Sequence, residues 1–587
     1  MACFSLPMIR RSSRSALLLL VTSSTSLALA YGCGDSSGGS DTGDAAAESS
    51  SGASGSSGAS GSSSGASGAS GSSGASGSSG ASSGSSGEAG TDGGTDAAAD
   101  ADAEVDAGAD ADAEPPPPPG PLSPTYVDRD INHVLETGQS NSVSNGGRPF
   151  TTMPLNTVPI TVTQPYTNIS FQTGVMTSYP CNPTGCLASS YVQPTSFVPL
   201  IENDEFFTPS GNPPTKYQVE TTNSAMANRI TQFALEDFMF NVRPGYPTKH
   251  DVLASLHGRS GNKYVCLRKA AVATNCGGAN YRMAFSEGVK QMQDAKALAD
   301  AQGKSYVVRA VTVVHGESDH YGALGDFPMA SSEGVAGAIK DYADALLEWQ
   351  RDYEAAAKAI TGQTESVPLI VSGLSGWTDT RYSKVPVQQL DAHLRSNGKV
   401  IIAVPGYVAD AGVKTDGSPE CLHLSIHGER QFGEYFARVY RKVVFEGGTF
   451  DIVRPLNVVR NGATVTVTFN VPSPPLTLDT ALVAAATSSG FEYRVGGPSG
   501  TQINITNVQV TAPDTVVLTL ASVPAGANQR LIYALNYNAT NGWCIGNGKN
   551  GSDVGGARGN LRDSDATTSR YGYKLHNWAV PFDVQVP

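Results

Sequence analysis

Three short polar blocks contain the residue types that acyl-transfer chemistry requires. They read GQSN around Ser140, HGESD around Glu317 and ECLHLS around His423. A serine hydroxyl becomes a nucleophile when a histidine takes its proton and an acid holds that histidine in the correct tautomer. Ser140, His423 and Glu420 therefore form a candidate catalytic set, although each block by itself is also typical of a helix cap or a turn.

The blocks follow or open predicted secondary-structure elements. The apolar run 131–137 precedes GQSN, the most apolar run, 306–314, precedes HGESD, and ECLHLS is predicted to open the last helix of this region. Gly138 permits a tight strand-to-helix turn, after which backbone amides can point at a developing oxyanion. Because ligands bind at the carboxyl ends of parallel strands, we expect the blocks to meet at one edge of a sheet.

Strand-like and helix-like segments alternate from about residue 125 to residue 445. This alternation predicts a parallel sheet with helices on both faces, a three-layer α/β fold. The predicted strands cover 131–137, 251–256, 306–314, 367–371 and 400–404, and the predicted helices cover 224–238, 281–302, 334–360, 387–395 and 426–443.

A second folded region is predicted from residue 446 to residue 587. Alternating Thr, Val and Phe at 464–471 and further strand-like runs at 515–520 and 531–537 predict an all-β unit, a sandwich. Arg558 and Trp578 are of the types that bind sugar from loops, and the alternative is a structural domain with a buried Trp.

The N-terminal 124 residues are predicted to lie outside the folded regions. Residues 1–33 have a basic start and an apolar core, as in an export signal, and end at Cys33 in a sequence that resembles a bacterial lipobox. Cleavage near Ala30 without lipidation is the alternative. Residues 34–124, rich in Ser, Gly, Ala, Asp and Pro, predict a disordered tether.

The charge of the chain is concentrated in that tether. Residues 34–114 carry fourteen acids and no base, and the first 33 residues carry three Arg and no acid, so the net charge of −14 leaves the remainder at −3. Nothing in this charge balance indicates a phosphate-binding surface, so nucleic acid is not an expected partner. A membrane is expected only through the lipid anchor.

Six cysteines remain after Cys3 in the signal and Cys33 are set aside. An even number in an exported chain predicts disulfides, with zinc as the alternative that no CxxC spacing supports. The close pairs are natural partners, which leaves the third pair by elimination, although sequence does not fix connectivity. The three pairs are Cys181–Cys186, Cys266–Cys276 and Cys421–Cys544.

Together the three blocks resemble the sialate O-acetylesterase-like branch of the SGNH hydrolases, which includes carbohydrate acetylesterases. That branch carries GQSN, QGESD and DxxH in this order, and the resemblance covers roughly residues 128–445. It implies a flavodoxin-like SGNH fold and hydrolysis of O-acetyl esters on carbohydrate, without a cofactor or metal.

The resemblance implies roles for individual residues. Ser140 would be the nucleophile and His423 the base, and the Ser140 amide would be one oxyanion donor. A second donor would be a glycine after the next strand, Gly258 or Gly261, with Gly258 favoured. The remaining polar residues of the blocks are expected to contact substrate: Gln139, Asn141, Glu317 and Asp319.

The sequence departs from the family pattern in two places. His315 stands where the family has Gln, so a ring N–H would have to serve the oxyanion. Glu420 stands where the family has Asp, with Asp416 as a fallback and a Ser–His dyad as a third possibility. These departures leave two alternatives open: a non-catalytic carbohydrate-binding lipoprotein that keeps the fold, or an SGNH esterase for another acyl group.

Overall fold

Buried strands alternate with helices in the α/β part of the chain, as the sequence predicts. The computed structural model describes residues 121–144, 163–177, 191–202, 205–208, 215–218, 220–272, 276, 283–321, 326–374, 384–413, 419–535, 546–549 and 557–587, all within one unit, 106–587. The elements up to residue 440 are β1 (Ile131–Gly138), β2 (Ile169–Phe171), β3 (Phe197–Pro199), β4 (Glu205–Thr208), β5 (Thr215–Gln218), α1 (Thr222–Gln232), β6 (Val252–Leu256), α2 (Tyr264–Leu267), α3 (Ala284–Ala301), β7 (Tyr306–Val314), α4 (Glu317–Tyr321), α5 (Tyr342–Thr361), β8 (Leu369–Gly373), α6 (Val385–Arg395), β9 (Val400–Pro405), β10 (Ala411–Val413), β11 (Pro419–Leu424) and α7 (Ile426–Tyr440).

A seven-stranded, mostly parallel sheet forms the centre of this part. Its strand order is β3-β2-β6-β1-β7-β8-β9, and only the β2–β3 pair is antiparallel. The five adjacent strands β6, β1, β7, β8 and β9 can be numbered 1 to 5 by their order along the chain. Across the sheet they then have the order 2-1-3-4-5, which is the doubly wound order of flavodoxin-like sheets. The predicted α/β class with a parallel sheet is confirmed at this level.

Helices cover both faces of the sheet. Every residue of β1 and β7 is buried, which requires cover on both sides. Helix α1 packs against α7, and α3, α5 and α6 form a second group. Gly433 lets α7 approach α1 closely, because a Cβ there would collide with the Thr222 carbonyl oxygen.

The predicted helix 334–360 is shorter than expected at its start. Helix α5 begins at Tyr342, where Asp341 accepts a hydrogen bond from the Asp344 amide at 3.0 Å and caps the first turn. Residues 334–341 precede it as irregular backbone, with a turn at 336–337 and a β-bridge between Ile339 and Met329. An acid within a helix-like pattern can set the start of the helix, because its side chain accepts a hydrogen bond from one of the first free backbone amides.

The C-terminal part consists of antiparallel sheets. Its strands are β12 (Arg454–Asn461), β13 (Thr464–Asn470), β14 (Thr477–Leu478), β15 (Phe491–Val495), β16 (Thr501–Ile503), β17 (Ile505–Ala512), β18 (Thr515–Leu520), β19 (Gln529–Tyr533), β20 (Leu561–Arg562) and β21 (Phe582–Val586). Two four-stranded sheets, β12-β13-β18-β17 and β16-β15-β19-β21, contact each other through Phe469 and Phe582, whose ring centroids lie 6.1 Å apart. Arg558 and Trp578 are both buried, as expected of the structural alternative.

Hydrogen bonds join the C-terminal part to the α/β part. The Tyr435 hydroxyl of α7 donates to the His576 carbonyl at 3.0 Å, and Arg438 pairs with Asp565 at 2.5 Å. The predicted domain boundary after residue 445 therefore lies between parts that are in direct contact.

Several predicted features fall outside the described residues. They include the export signal with Cys33, the tether as far as residue 120, and the cysteine pair 181/186. In the described part of the chain, no helix has the length and apolar character needed to cross a membrane. The predicted Cys266–Cys276 disulfide is present, whereas Cys544 and the side chain of Cys421 are not among the described groups.

Candidate active site

The turn that follows β1 carries Ser140. Gly138 has a φ of +143°, and a Cβ at this position would collide with the Val314 carbonyl oxygen at the end of β7, so glycine is required. The Gln139 amide donates to that same carbonyl at 3.1 Å, and the Ser142 hydroxyl donates to the Gln139 carbonyl at 2.7 Å. The turn is thus fixed between the two central strands, with Ser140 at their carboxyl ends.

Gly258 lies against this turn. It follows β6, the neighbour of β1 on the other side, and a Cβ on it would collide with the Ser142 hydroxyl. The next residue, Arg259, donates its amide to the Gly138 carbonyl at 2.9 Å. Gly261, the other candidate, has a φ of +70° and has nothing within 4 Å of a Cβ placed on it. Of the two glycines, the structure brings Gly258 to the serine turn.

The amides of Ser140 and Gly258 are available to a ligand. Both residues are buried, and neither amide has an acceptor within the part of the chain that the structure describes. A buried N–H without an acceptor is costly and rare in folded proteins. These two amides are the ones that the sequence predicts as oxyanion donors, and they lie on adjacent turns.

Asn141 brings the His423 strand to the serine turn. Its side-chain amide donates to the Leu422 carbonyl at 3.1 Å and accepts from the Leu424 amide at 3.0 Å. The two hydrogen bonds hold the backbone on both sides of His423 against the residue next to Ser140. The structure therefore brings the first and third polar blocks together, across more than 280 residues of sequence.

His423 lies on strand β11, which the sequence did not predict, directly before helix α7, which begins at Ile426 as predicted. Strand β11 pairs with β10, and helix α7 begins only after Ser425, whose hydroxyl accepts from the Gly428 amide at 3.1 Å. The side chain of Glu420 and all of Asp416 are outside the described groups. Which acid orients His423 stays a prediction.

Glu317 bonds to Asn141 and interacts electrostatically with His423. Its Oε1 accepts from the Asn141 amide at 2.9 Å, and its Oε2 has no hydrogen-bond partner among the described residues. Burial raises the pKa of this carboxyl, while the Asn141 hydrogen bond and the nearby His423 act against the rise. An adjoining cavity of about 20 Å³ has room for about one water molecule.

His315 does not offer a ring N–H to the predicted oxyanion. Its Nε2 lies 3.0 Å from the Asn262 carbonyl, which can only accept, and its Nδ1 lies 2.6 Å from the Tyr342 hydroxyl. These partners assign the proton to Nε2 and make the Tyr342 hydroxyl the donor to Nδ1. Burial lowers the pKa of His315 to about 4, so the ring is neutral at pH 7. Both ring nitrogens therefore bond to protein groups, Nε2 in the loop after β6 and Nδ1 in α5.

The remaining predicted substrate contacts bond to protein groups. Gln139 accepts from the Ser318 amide at 3.0 Å, and Asp319 accepts from the Tyr264 amide at 2.8 Å. Burial raises the pKa of Asp319 to about 7. Like Asn141 and Glu317, these side chains join the loops at the carboxyl edge of the sheet, which is a role that the sequence did not predict.

Buried acids behind the serine turn were not anticipated from the sequence. Glu136 on β1 accepts from Thr222 and Asn223 at 2.8 and 2.6 Å, and burial raises its pKa well above the usual value. Burial also raises the pKa of Glu202 to about 8 and that of Glu429 well above the usual value. Within the described ranges, no group of three or more His, Cys, Asp or Glu is arranged to hold a metal ion.

Comparison with known proteins gives distant structural neighbours. No family model and no curated protein matches the chain. Among solved structures, a carbohydrate acetylesterase from Xanthomonas citri is 12% identical, with 77% of this chain and 80% of that chain covered and a TM-score of 0.41. A protein named NanS is 14% identical over 54% of this chain and 98% of that chain, with a TM-score of 0.31. A protein from Arabidopsis thaliana is 16% identical over 53% of this chain and 98% of that chain, with a TM-score of 0.30.

Proposed function

We propose that this protein is a serine esterase of the SGNH type that removes acetyl groups from carbohydrate, with Ser140 as nucleophile and His423 as general base. The observation that carries the proposal is the Asn141 side chain, which holds the backbone on both sides of His423 against the Ser140 turn. Two buried amides without described acceptors, those of Ser140 and Gly258, lie on the Ser140 turn and on the loop beside it. A nucleophile, a base and oxyanion donors at one sheet edge are what acyl transfer requires.

In the proposed mechanism, Ser140 Oγ adds to the acetyl carbonyl carbon while its proton passes to His423. The carbonyl oxygen becomes an oxyanion that accepts hydrogen bonds from the amides of Ser140 and Gly258. Collapse of this intermediate expels the sugar oxygen, which takes the proton from His423 and leaves acetyl-Ser140. Water then adds to the acetyl group in the same way, and acetate leaves. Glu420 orients His423 throughout.

This proposal differs from the sequence-based one in the oxyanion hole. His315 is omitted, because its ring nitrogens are used by Asn262 and Tyr342. Its proposed role is to hold the loop after β6, which carries Gly258, against α5.

The proposed location is the cell envelope or the exterior. The basic and apolar start of the chain and Cys33 support an exported lipoprotein, and the tether would hold the folded part away from the membrane. No part of the mechanism depends on this location or on the lipid anchor.

The test compares wild type with Ser140→Ala in hydrolysis of p-nitrophenyl acetate and in labelling by a fluorophosphonate probe. We expect Ser140→Ala to lose both while it keeps its melting temperature. Ser305→Ala is the matched control, because the Ser305 hydroxyl donates to Asp130 just before the start of β7. This position is at the amino ends of the strands, opposite to the end that carries Ser140. Hydrolysis retained by Ser140→Ala would remove Ser140 from the mechanism.

The same probe separates the esterase from a non-catalytic binding protein, since labelling requires an activated hydroxyl. A chain-length series of p-nitrophenyl esters tests the preference for acetyl. Acetate release from acetylated xylan, sialic acid and pectin identifies the sugar.

A further inference from the structure

Arg259, the residue after Gly258, forms a buried ion pair with Glu287. The guanidinium of Arg259 contacts the carboxylate of Glu287, in the first turn of α3, at 2.7 Å, and the two side chains are 3% and 1% exposed. Removing two charges from water costs more than their attraction returns unless further hydrogen bonds satisfy them. The partners of the guanidinium therefore indicate what the pair does.

Two of those partners are consecutive carbonyls of the loop that carries Gly258. Arg259 Nη1 donates to the His257 carbonyl at 3.2 Å and to the Gly258 carbonyl at 2.9 Å. The backbone amide of Arg259 donates to the Gly138 carbonyl at 2.9 Å. One residue thus fixes the peptide on each side of Gly258 and joins the loop to the serine turn.

The orientation of the Gly258 amide follows from this arrangement. The His257 carbonyl and the Gly258 N–H belong to one trans peptide, in which C=O and N–H point in opposite directions. Because the guanidinium holds the carbonyl on its own side, the N–H is turned away from it. Residue 258 must be glycine to lie this close to Ser142, and a glycine backbone needs an external hold because it has no side chain to restrain it.

We propose that Arg259, anchored by Glu287, is a positioning residue that holds the Gly258 amide in the orientation that the oxyanion requires. This inference rests on the proposed esterase function. Arg259 touches no reacting atom, and its contribution is the fixed geometry of one donor. A preorganised donor stabilises the transition state without reorganising during the reaction.

The experiment uses the full chain with Arg259→Met, Arg259→Lys and the double variant Arg259→Met/Glu287→Gln. The double variant removes both charges and leaves no unpaired ion, so its fold is retained more easily. The control is Arg494→Met/Glu492→Gln, which removes a buried pair of 2.6 Å in the C-terminal sheets. Each protein is assayed for kcat and KM with p-nitrophenyl acetate and for the rate ratio between an acetate ester and the matching thionoester, whose sulfur is a poor hydrogen-bond acceptor.

We expect Arg259→Met and the double variant to lose roughly 30- to 100-fold in kcat, less than the roughly 100- to 1,000-fold found when an oxyanion donor is removed, because the Gly258 amide stays present. KM should change by less than about threefold. The ester-to-thionoester ratio should fall by a similar factor. Arg259→Lys keeps the charge beside Glu287 but not the planar fork, and it should fall between wild type and Arg259→Met. The control pair should keep wild-type kcat and the wild-type ratio.

Two results overturn the inference alone: a double variant with kcat within about threefold of wild type, or an ester-to-thionoester ratio that stays constant while kcat falls. Both would leave the esterase intact and reduce Arg259 to a structural residue. A wild-type protein that neither hydrolyses esters nor reacts with the fluorophosphonate probe would instead overturn the proposed function, and this inference with it.

Discussion

Replacing Asn141 with alanine removes the contact that brings the two halves of the proposed site together. The side chain makes three hydrogen bonds: to Glu317 at 2.9 Å, to the Leu422 carbonyl at 3.1 Å and from the Leu424 amide at 3.0 Å. Asn141 is buried, so its truncation leaves these groups without their partner. The two backbone bonds act on the strand that carries His423, and the third acts on the neighbouring carboxyl.

The expected size of the effect follows from these bonds. A typical hydrogen bond contributes a net free energy of about 1 kcal/mol, so loss of the two backbone bonds removes about 2 kcal/mol of the positioning of His423. Because 1.36 kcal/mol corresponds to a factor of ten in rate, kcat should fall about 30-fold. The unpaired Glu317 carboxyl adds a further 1–3 kcal/mol to the loss of folding stability.

The assay measures kcat and KM with p-nitrophenyl acetate and the free energy of unfolding in denaturant. The matched control is Asn560→Ala, since Asn560 is also buried and bonds to the backbone carbonyls of Asp479 and Val483 and to the Ala486 amide, all in the C-terminal part. Both variants should lose stability, and only Asn141→Ala should lose kcat. The reasoning is refuted if Asn141→Ala keeps kcat within threefold of wild type while both variants are destabilised equally.

Three further outcomes follow from the same region. Gly258→Ala should lower kcat at least 100-fold, because the added Cβ collides with the Ser142 hydroxyl, and wild-type kinetics would contradict this. Burial raises the pKa of Glu429 above its ordinary value of 4.5, so the stability of the wild type falls as pH rises above that value. Glu429→Gln should therefore gain stability relative to wild type over this rise, and a constant difference in unfolding free energy would argue against it. Burial lowers the pKa of His315 to about 4 in the folded protein, against about 6.5 in the unfolded chain. The contribution of the neutral His315 ring to folding stability is therefore complete above pH 6.5 and is lost as pH falls towards 4. The unfolding free energy of His315→Gln should depend less on pH in that window than that of wild type.

Five of the seven strands of the sheet were predicted from the sequence, and they are the five in which every residue is buried. The short and partly exposed strands β2 and β3 were not predicted. The apolar run 306–314 coincides with β7, and 131–137 falls one residue short of β1. Buried parallel strands appear in a sequence as continuous apolar runs, and polar residues directly after them lie at one edge of the sheet. The positions of Ser140 and of the Glu317 block followed from this rule without any knowledge of side-chain contacts.

The placement of individual side chains was less predictable. Strand β11 was missed because its core, CLHL, alternates too briefly to signal a strand, and its partner β10 is only three residues long. The ring of His315 follows the same buried strand as the Glu317 block, but its partners Asn262 and Tyr342 come from distant elements. Periodicity identifies the face on which a residue lies, not which polar group it finds across the fold.

The doubly wound strand order explains why these blocks converge. With the order 2-1-3-4-5, the chain leaves β1 towards β6 and later proceeds outward through β7, so connections depart in opposite directions on the two sides of β1. A crevice opens where they diverge, and the turn of Ser140, the loop of Gly258 and the start of α4 border it. His423 comes after β9, the strand at the edge of the sheet, and it lies on the β10–β11 hairpin that follows that strand. A short hairpin has little core of its own, and the side-chain amide of Asn141 joins its second strand to the serine turn. The proposed catalysis therefore depends on a residue that takes no part in the chemistry.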